Sequence, residues 1–233
     1  MQVDFLAHAA FLFTSAAGIR VMTDPYEAGG FSGRVGYAPI DERPDLVVIT
    51  HDHLDHSHTA TLPGPFEVIR HRGTFRGIPV RSVSAFHDEF EGKKFGGSID
   101  MKLFTIDGVR ICHCGDLGER LLEPAKRAEI GPVDLLIIPT GGFYTLGPEG
   151  ALEVSRRLAP RVVLPCHYKT ASCGFDIAPL DPFLEAFEPR LRLPFEGSRA
   201  TLELEQLPDH PTEGALPHCL PLSMRYDLCG AEL

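Results

Sequence analysis

The sequence has no apolar run near the roughly 20 residues needed to cross a bilayer. Its opening, MQVDFLAHAA, has neither the basic start nor the unbroken apolar stretch of a secretory signal. The expectation is a cytoplasmic protein with no membrane partner. Positive charge is scarce: 22 Lys and Arg stand against 32 Asp and Glu, a net charge of −10. Such a surface repels polyanions, which argues against nucleic acid as a partner. The cysteine spacing of a zinc knuckle is also missing, since Cys112 and Cys114 are one residue apart rather than two. Without a secretory signal, Cys112, Cys114, Cys166, Cys173, Cys219 and Cys229 are expected as reduced, buried thiols. There is no internal repeat and nothing that marks a second domain.

What is present is a globular composition, 43% hydrophobic and 23% charged, in a chain of 233 residues that is long enough for a substantial core. Short apolar segments at 2–6, 10–14 and 19–23 read as strands, the first two as a hairpin. Residues 27–44, rich in glycine and proline, read as a long loop over the functional site. Continuous apolar runs at 46–49, 135–138 and 162–164 have the character of strands buried on both faces. Further strands are predicted near 66–69, 79–84, 98–105 and 109–112, and helices at 118–129, 148–158 and 181–187. Early hairpin-like connections favour paired sheets with helices outside over a wholly parallel sheet. The expected organisation is one domain over 1–206 and a C-terminal tail over 207–233, extended or partly disordered.

The chemistry is concentrated in Thr50-His51-Asp52-His53-Leu54-Asp55-His56, which directly follows the buried run at 46–49. A loop anchored at a strand end can aim several side chains into one space. Neutral imidazoles with carboxylates suit zinc and similar divalent ions. Three other segments place a histidine or aspartate just after a predicted strand: Ala85-Phe86-His87-Asp88, Cys112-His113-Cys114-Gly115-Asp116 and Leu164-Pro165-Cys166-His167-Tyr168.

These segments, in this order, resemble the metallo-β-lactamase superfamily, whose hallmark is His-x-His-x-Asp-His. The likeness covers roughly residues 1–170. It implies an α/β fold, the αββα sandwich of two mixed β-sheets with helices on the outer faces. It also implies two divalent metal ions, zinc first and manganese or iron as alternatives. His51, His53 and His87 would hold one ion and Asp55, His56 and His167 the other, with Asp116 bridging. Asp24 would support the ligand loop by hydrogen bonds. The segments 6–12 and 137–145 are similar to the branch of small bacterial hydrolases that includes ascorbate-6-phosphate lactonase, and Leu54 replaces a glycine common in lactamases. The implied function is hydrolysis of a small ester, lactone or phosphodiester by a metal-bound hydroxide. The alternative on the same fold is a di-iron oxidoreductase or oxygen sensor. Asp55, Asp116 and His8 are the catalytic candidates, His8 as a proton donor. His113, Tyr144 and Lys169 are weighed as neighbours of the site. The partner is a small-molecule substrate, and a homo-oligomer is left open.

Overall fold

Strands from the first seventy residues build most of one sheet, and later strands build the second. A computed structural model describes residues 1–195 and 197–228. The first sheet contains β1 (Gln2–Ala7), β2 (Ala10–Thr14), β3 (Arg20–Thr23), β4 (Leu46–Val48), β5 (Glu67–Ile69) and β12 (Arg199–Thr201), in the order β12-β1-β2-β3-β4-β5. The second contains β6 (Gly73–Phe75), β7 (Ile78–Phe86), β8 (Ser98–Ile106), β9 (Val109–His113), β10 (Leu135–Pro139), β11 (Val162–Cys166) and β13 (His218–Cys219), in the order β13-β11-β10-β9-β8-β7-β6. Both are mixed: β3-β4-β5 and β9-β10-β11-β13 run parallel, and the other pairs antiparallel.

The sheets pack face to face over a core of Val3, Phe5, Phe11, Phe13 and Val48 from one and Phe104, Ile111, Ile137 and Leu164 from the other. Phe5 and Phe11 are directly opposed across β1 and β2 and stack with centroids 4.4 Å apart. Phe13 meets Phe104 edge-on at 5.5 Å across the two sheets. Such aromatic pairs add about 1 kcal/mol beyond the area they bury.

The expected two mixed sheets are present, with unequal outer cover. Helices α3 (Pro148–Leu158) and α4 (Asp181–Leu184) lie over the outer face of the second sheet, where Val154 and Phe183 join Leu136, Ile138 and Val163. The outer face of the first sheet carries loop residues instead: Tyr26, Tyr37, Ile40, Phe175 and Ile177 pack on Leu6, Leu12, Met22 and Val47. The one-turn α1 (Gly30–Gly33) interrupts that loop, with Phe31 and Ser32 left-handed.

Two expectations need correction. Helix α2 covers only Pro124–Ile130, not 118–129. Proline disfavours a helical residue before it, and Glu123 is extended, so Pro124 opens the helix instead of continuing one. Residues 181–187 shorten to Asp181–Leu184 for α4. The tail is extended and packed over its described part. β13 pairs with β11, Leu220 and Leu222 are buried, and the N–H groups of Arg225 and Tyr226 donate to the carbonyls of Phe5 and Leu6. Residues 229–233, including Cys229, lie outside the described residues; the other five cysteines are free and buried.

Asp134 ties β9 to β10. Its buried carboxylate accepts from Arg110 Nε and Nη2, both at 2.7 Å, and from the Arg110 backbone N–H at 2.9 Å. Burial works against its charge, but the Arg110 hydrogen bonds outweigh this and hold the carboxyl below its usual range. A folded pKa below the unfolded one stabilises above the unfolded value and loses that contribution as pH falls. Asp134→Asn should therefore cost about 2 kcal/mol at pH 7. The deficit relative to the parent should shrink as the pH drops below about 4, measured by denaturant unfolding at several pH values.

Candidate metal centre

Strand ends from both sheets meet at one edge. Asp24 follows β3, residues 50–56 follow β4, His87 follows β7, Asp116 follows β9 and His167 follows β11. The turn between β1 and β2 adds His8, whose backbone is left-handed (φ 58). Its carbonyl accepts the backbone N–H of His167 at 2.8 Å, joining the two sheets at the site.

The loop after β4 is held from beneath by Asp24. Its fully buried carboxylate accepts from Thr50 N at 2.8 Å, Thr50 Oγ1 at 2.6 Å and His56 Nδ1 at 2.9 Å. Gly115 packs against the same threonine. It has φ +53, and a Cβ there would lie 2.5 Å from Thr50 Oγ1.

Two four-residue clusters of donor atoms result. His51, His53, His87 and Asp116 form one, and His8, Asp55, His56 and His167 the other; within each, the donors lie within 4.8 Å of one another. In the first, His53 Nδ1 is 3.1 Å from His51 Nε2 and 3.3 Å from His87 Nε2. Asp116 Oδ2 is 3.7 and 3.4 Å from the same two nitrogens. Donors about 2.05 Å from a tetrahedral zinc lie about 3.3 Å apart, so this spacing suits one ion. On the other side, Asp116 Oδ1 is 3.0 Å from His56 Nε2 and 3.4 Å from His167 Nε2, and Asp55 Oδ2 is 3.9 Å from both. Asp116 thus turns one oxygen toward each cluster.

Outer nitrogens set which ring nitrogen faces inward. His51 Nδ1 donates to Thr50 Oγ1 at 3.0 Å, since that hydroxyl already gives its hydrogen to Asp24. His56 Nδ1 donates to Asp24, and His87 Nδ1 to the Tyr144 carbonyl at 3.1 Å. The Nε2 atoms of His51, His56 and His87 are left as lone-pair donors, the usual arrangement behind a metal ligand.

The polar inventory fits a cation. Asp24, Asp55 and Asp116 are buried, and among the described residues no Lys or Arg lies within 4 Å of them. Asp55 Oδ1, His56 Nε2 and Asp116 Oδ1 are buried without a hydrogen bond of acceptable geometry. Unpartnered buried charge of this kind is costly. Burial pushes His51 and His167 down to about 3, so both imidazoles are neutral at neutral pH. Burial also disfavours charge on His56, but Asp116 and Asp55 outweigh it and raise its affinity for a proton. Asp116 is itself held well below its usual range, against burial, by His167 and His56.

His8 is fully buried, and its Nε2 donates to Asp55 Oδ2 at 3.0 Å. It lies behind Asp55 and does not line the cavity that opens over the clusters. His113 is bound at both ring nitrogens, to the Ala9 carbonyl at 2.9 Å and the Gly115 N–H at 3.0 Å, and so braces the sheets. Tyr144 lines the cavity, whereas Lys169 turns away to the Phe175 carbonyl at 2.6 Å.

That cavity encloses about 220 Å³. Besides ligand-cluster residues its walls are Phe31, Arg34, Phe95, Tyr144 and Phe175. A larger hollow of about 770 Å³ near Glu119 and Lys126 contains no histidine, so size does not mark the site. Sequence reading missed Phe31, Arg34, Phe95 and Phe175, and also Asp88. The buried Asp88 carboxylate accepts the N–H groups of Phe90, Gly92, Lys94 and Phe95 and shapes the loop carrying Phe95. An aspartate beside His87 was the one available signal for it.

The sequence profile described as the Beta-lactamase superfamily domain matches residues 2–167. The chain belongs to the metallo-β-lactamase superfamily. It is 29% identical to a metal-dependent hydrolase of Thermococcus onnurineus, over 73% of this chain and 85% of the other. A metal-dependent hydrolase of Thermus thermophilus is also 29% identical, covering 82% and 92%. Among solved structures, one from Thermotoga maritima, described as a Zn-dependent hydrolase of this superfamily, superposes with a TM-score of 0.73. It is 29% identical and covers 96% of this chain and 99% of the other.

Asp24 touches the ligand loop without belonging to either cluster around Asp116, so Asp24→Asn separates support from ligation. It removes the acceptor charge opposite His56 and should weaken zinc affinity by about 10- to 100-fold, read by competition titration with a chromogenic chelator.

Proposed function

We propose that the protein is a metal-dependent hydrolase that uses two divalent ions, zinc first, on a small ester, lactone or phosphodiester. The observation that carries this reading is Asp116, whose two oxygens face separate donor clusters. His51, His53 and His87 would hold one ion, and Asp55, His56 and His167 the other. When bound, such ions supply Lewis acidity and bring the pKa of water toward 7.

The chain's own residues supply the rest. Burial and the Asp24, Thr50 and Tyr144 acceptors keep the imidazoles oriented before substrate arrives. His8 fixes Asp55 through Oδ2, leaving Oδ1 as the unpartnered oxygen of a carboxylate that lines the cavity. In this reading Asp55 Oδ1 accepts a proton from attacking water, and His8 acts through Asp55 as a positioning residue. The 220 Å³ cavity is below the usual 300–1,000 Å³ of drug-sized ligand sites, which favours a small substrate. The relatives named metal-dependent hydrolases support the reaction class.

Metal analysis should find close to two ions per chain. A screen of lactones, carboxylic esters and phosphodiesters should find one class turned over. His51→Ala and Asp116→Ala should each lose hydrolysis by at least about 10³-fold, together with bound metal. Full activity in a metal-depleted variant would reject the proposal. So would bound iron with a visible absorption band and oxygen chemistry in place of hydrolysis.

A further inference from the structure

The walls of the cavity carry information that the metal ligands do not. Phe31 and Phe175 meet edge-on at 5.5 Å, Phe175 and Tyr144 at 5.9 Å, and Tyr144 and Phe95 at 5.0 Å. The four rings form a connected row along the wall of the cavity that holds His53, His87 and His167. Arg34 is the one Lys or Arg among the cavity-lining residues, in a protein of net charge −10. Among the described residues no carboxylate lies within 4 Å of it, whereas most other arginines of the chain are paired.

Arg34 and Phe31 are held there by a costly backbone. Gly29, Phe31, Ser32 and Gly33 all have positive φ, at 78, 52, 58 and 87. Consecutive left-handed non-glycine residues are strained and persist only where surrounding contacts fix them. Here the fixing contacts are backbone hydrogen bonds to residues 172–174. Gly36 N–H donates to Ser172 O at 2.9 Å, and Gly174 N–H to Arg34 O at 2.7 Å. A Cβ on Gly174 would lie 2.8 Å from Arg34 Cα, so the two segments are in close contact.

We propose that Arg34 is a specificity residue that binds an oxyanion, carboxylate or phosphate, on a substrate whose apolar, ring-sized body lies against Phe31, Phe95, Tyr144 and Phe175. This rests on the hydrolase reading above and deepens it. Phe31, Phe95 and Phe175 receive an apolar body but give an anion no hydrogen bond. A guanidinium at the rim supplies the missing donors, with two parallel N–H groups matched to a carboxylate or phosphate. The nearby Lys94 sits over the rings of Phe95 at 4.7 Å and Phe143 at 5.8 Å and is not a lining residue.

Calorimetric binding of three non-hydrolysable probes to the zinc-loaded protein tests this: phenylacetate, phenylphosphonate and the neutral phenylacetamide. Arg34→Gln should weaken the anionic probes about five- to tenfold and leave phenylacetamide unchanged. Arg34→Lys should recover part of the loss. Phe31→Ala should weaken all three probes, and Lys94→Gln should leave all three within about twofold. The anion bound more tightly by the parent identifies the group recognised. Equal affinity of parent and Arg34→Gln for both anions would overturn the proposal, as would an equal loss for the neutral probe or from Lys94→Gln. Hydrolysis is not needed for this readout, so absent turnover would fail the hydrolase reading while a selective Arg34 effect would still establish the anion site.

Discussion

Three buried carboxylates at the junction of two sheets, surrounded by imidazoles and, among the described residues, with no lysine or arginine within 4 Å, are the constraint on which this structure turns. Left alone, such a group of charges opposes folding, since desolvation of each carboxylate costs several kcal/mol. Part of the cost is offset by the hydrogen bonds that Thr50 donates to Asp24. The remainder falls on Asp55 and Asp116, which keep oxygens with no partner. Metal binding and folding stability are therefore linked here, because a cation that binds the folded arrangement stabilises it by mass action.

The fold meets this constraint by placing rigid strand ends under the ligands and strained turns between them. Among the described residues ten non-glycine residues have positive φ, and four of them (His8, Asp24, Phe31 and His167) belong to the site or its rim. Others have simple turn explanations: Arg76 and Asp107 each precede a positive-φ glycine in a two-residue hairpin turn. The concentration around one edge is what is expected where geometry matters more than local stability. The sheet core pays for it: residues such as Phe5, Phe11, Val48 and Ile137 are fully buried or nearly so and leave the strand ends little freedom.

Much of this was legible in the sequence, for identifiable reasons. His51 and His167 sit two and three residues after the continuous apolar runs at 46–49 and 162–164, so β4 and β11 and the donors behind them could be read together. Period and composition also located α3 at Pro148–Leu158, with its proline start and basic end. The shortened α2 shows the limit: Leu121 and Leu122 have helical spacing to Ala125, but one proline decides where the helix begins, and Leu121 ends up exposed. The short strands β6, β12 and β13 were missed because they have no periodic signal of their own: β12 and β13 exist through pairing with the distant β1 and β11, and β6 through a hairpin with β7. The cavity walls were missed for a related reason. Nothing local to Arg34 or Phe175 reveals that backbone hydrogen bonds bring residues 34–36 against 172–174.

That contrast separates the two layers of the site. Its floor is made of residues whose neighbours in sequence are buried strands, and it answers to the fixed requirements of metal coordination. Its walls come from residues 31–34, 95, 144 and 175, all on connecting segments. Loops on a rigid scaffold change with little cost to the core, so reaction class and substrate choice are physically separable. Asp88 is the point where the layers touch. It follows His87 directly and organises, through four backbone N–H groups, the loop that presents Phe95. His87 and the wall residue Phe95 are thereby joined through one short segment.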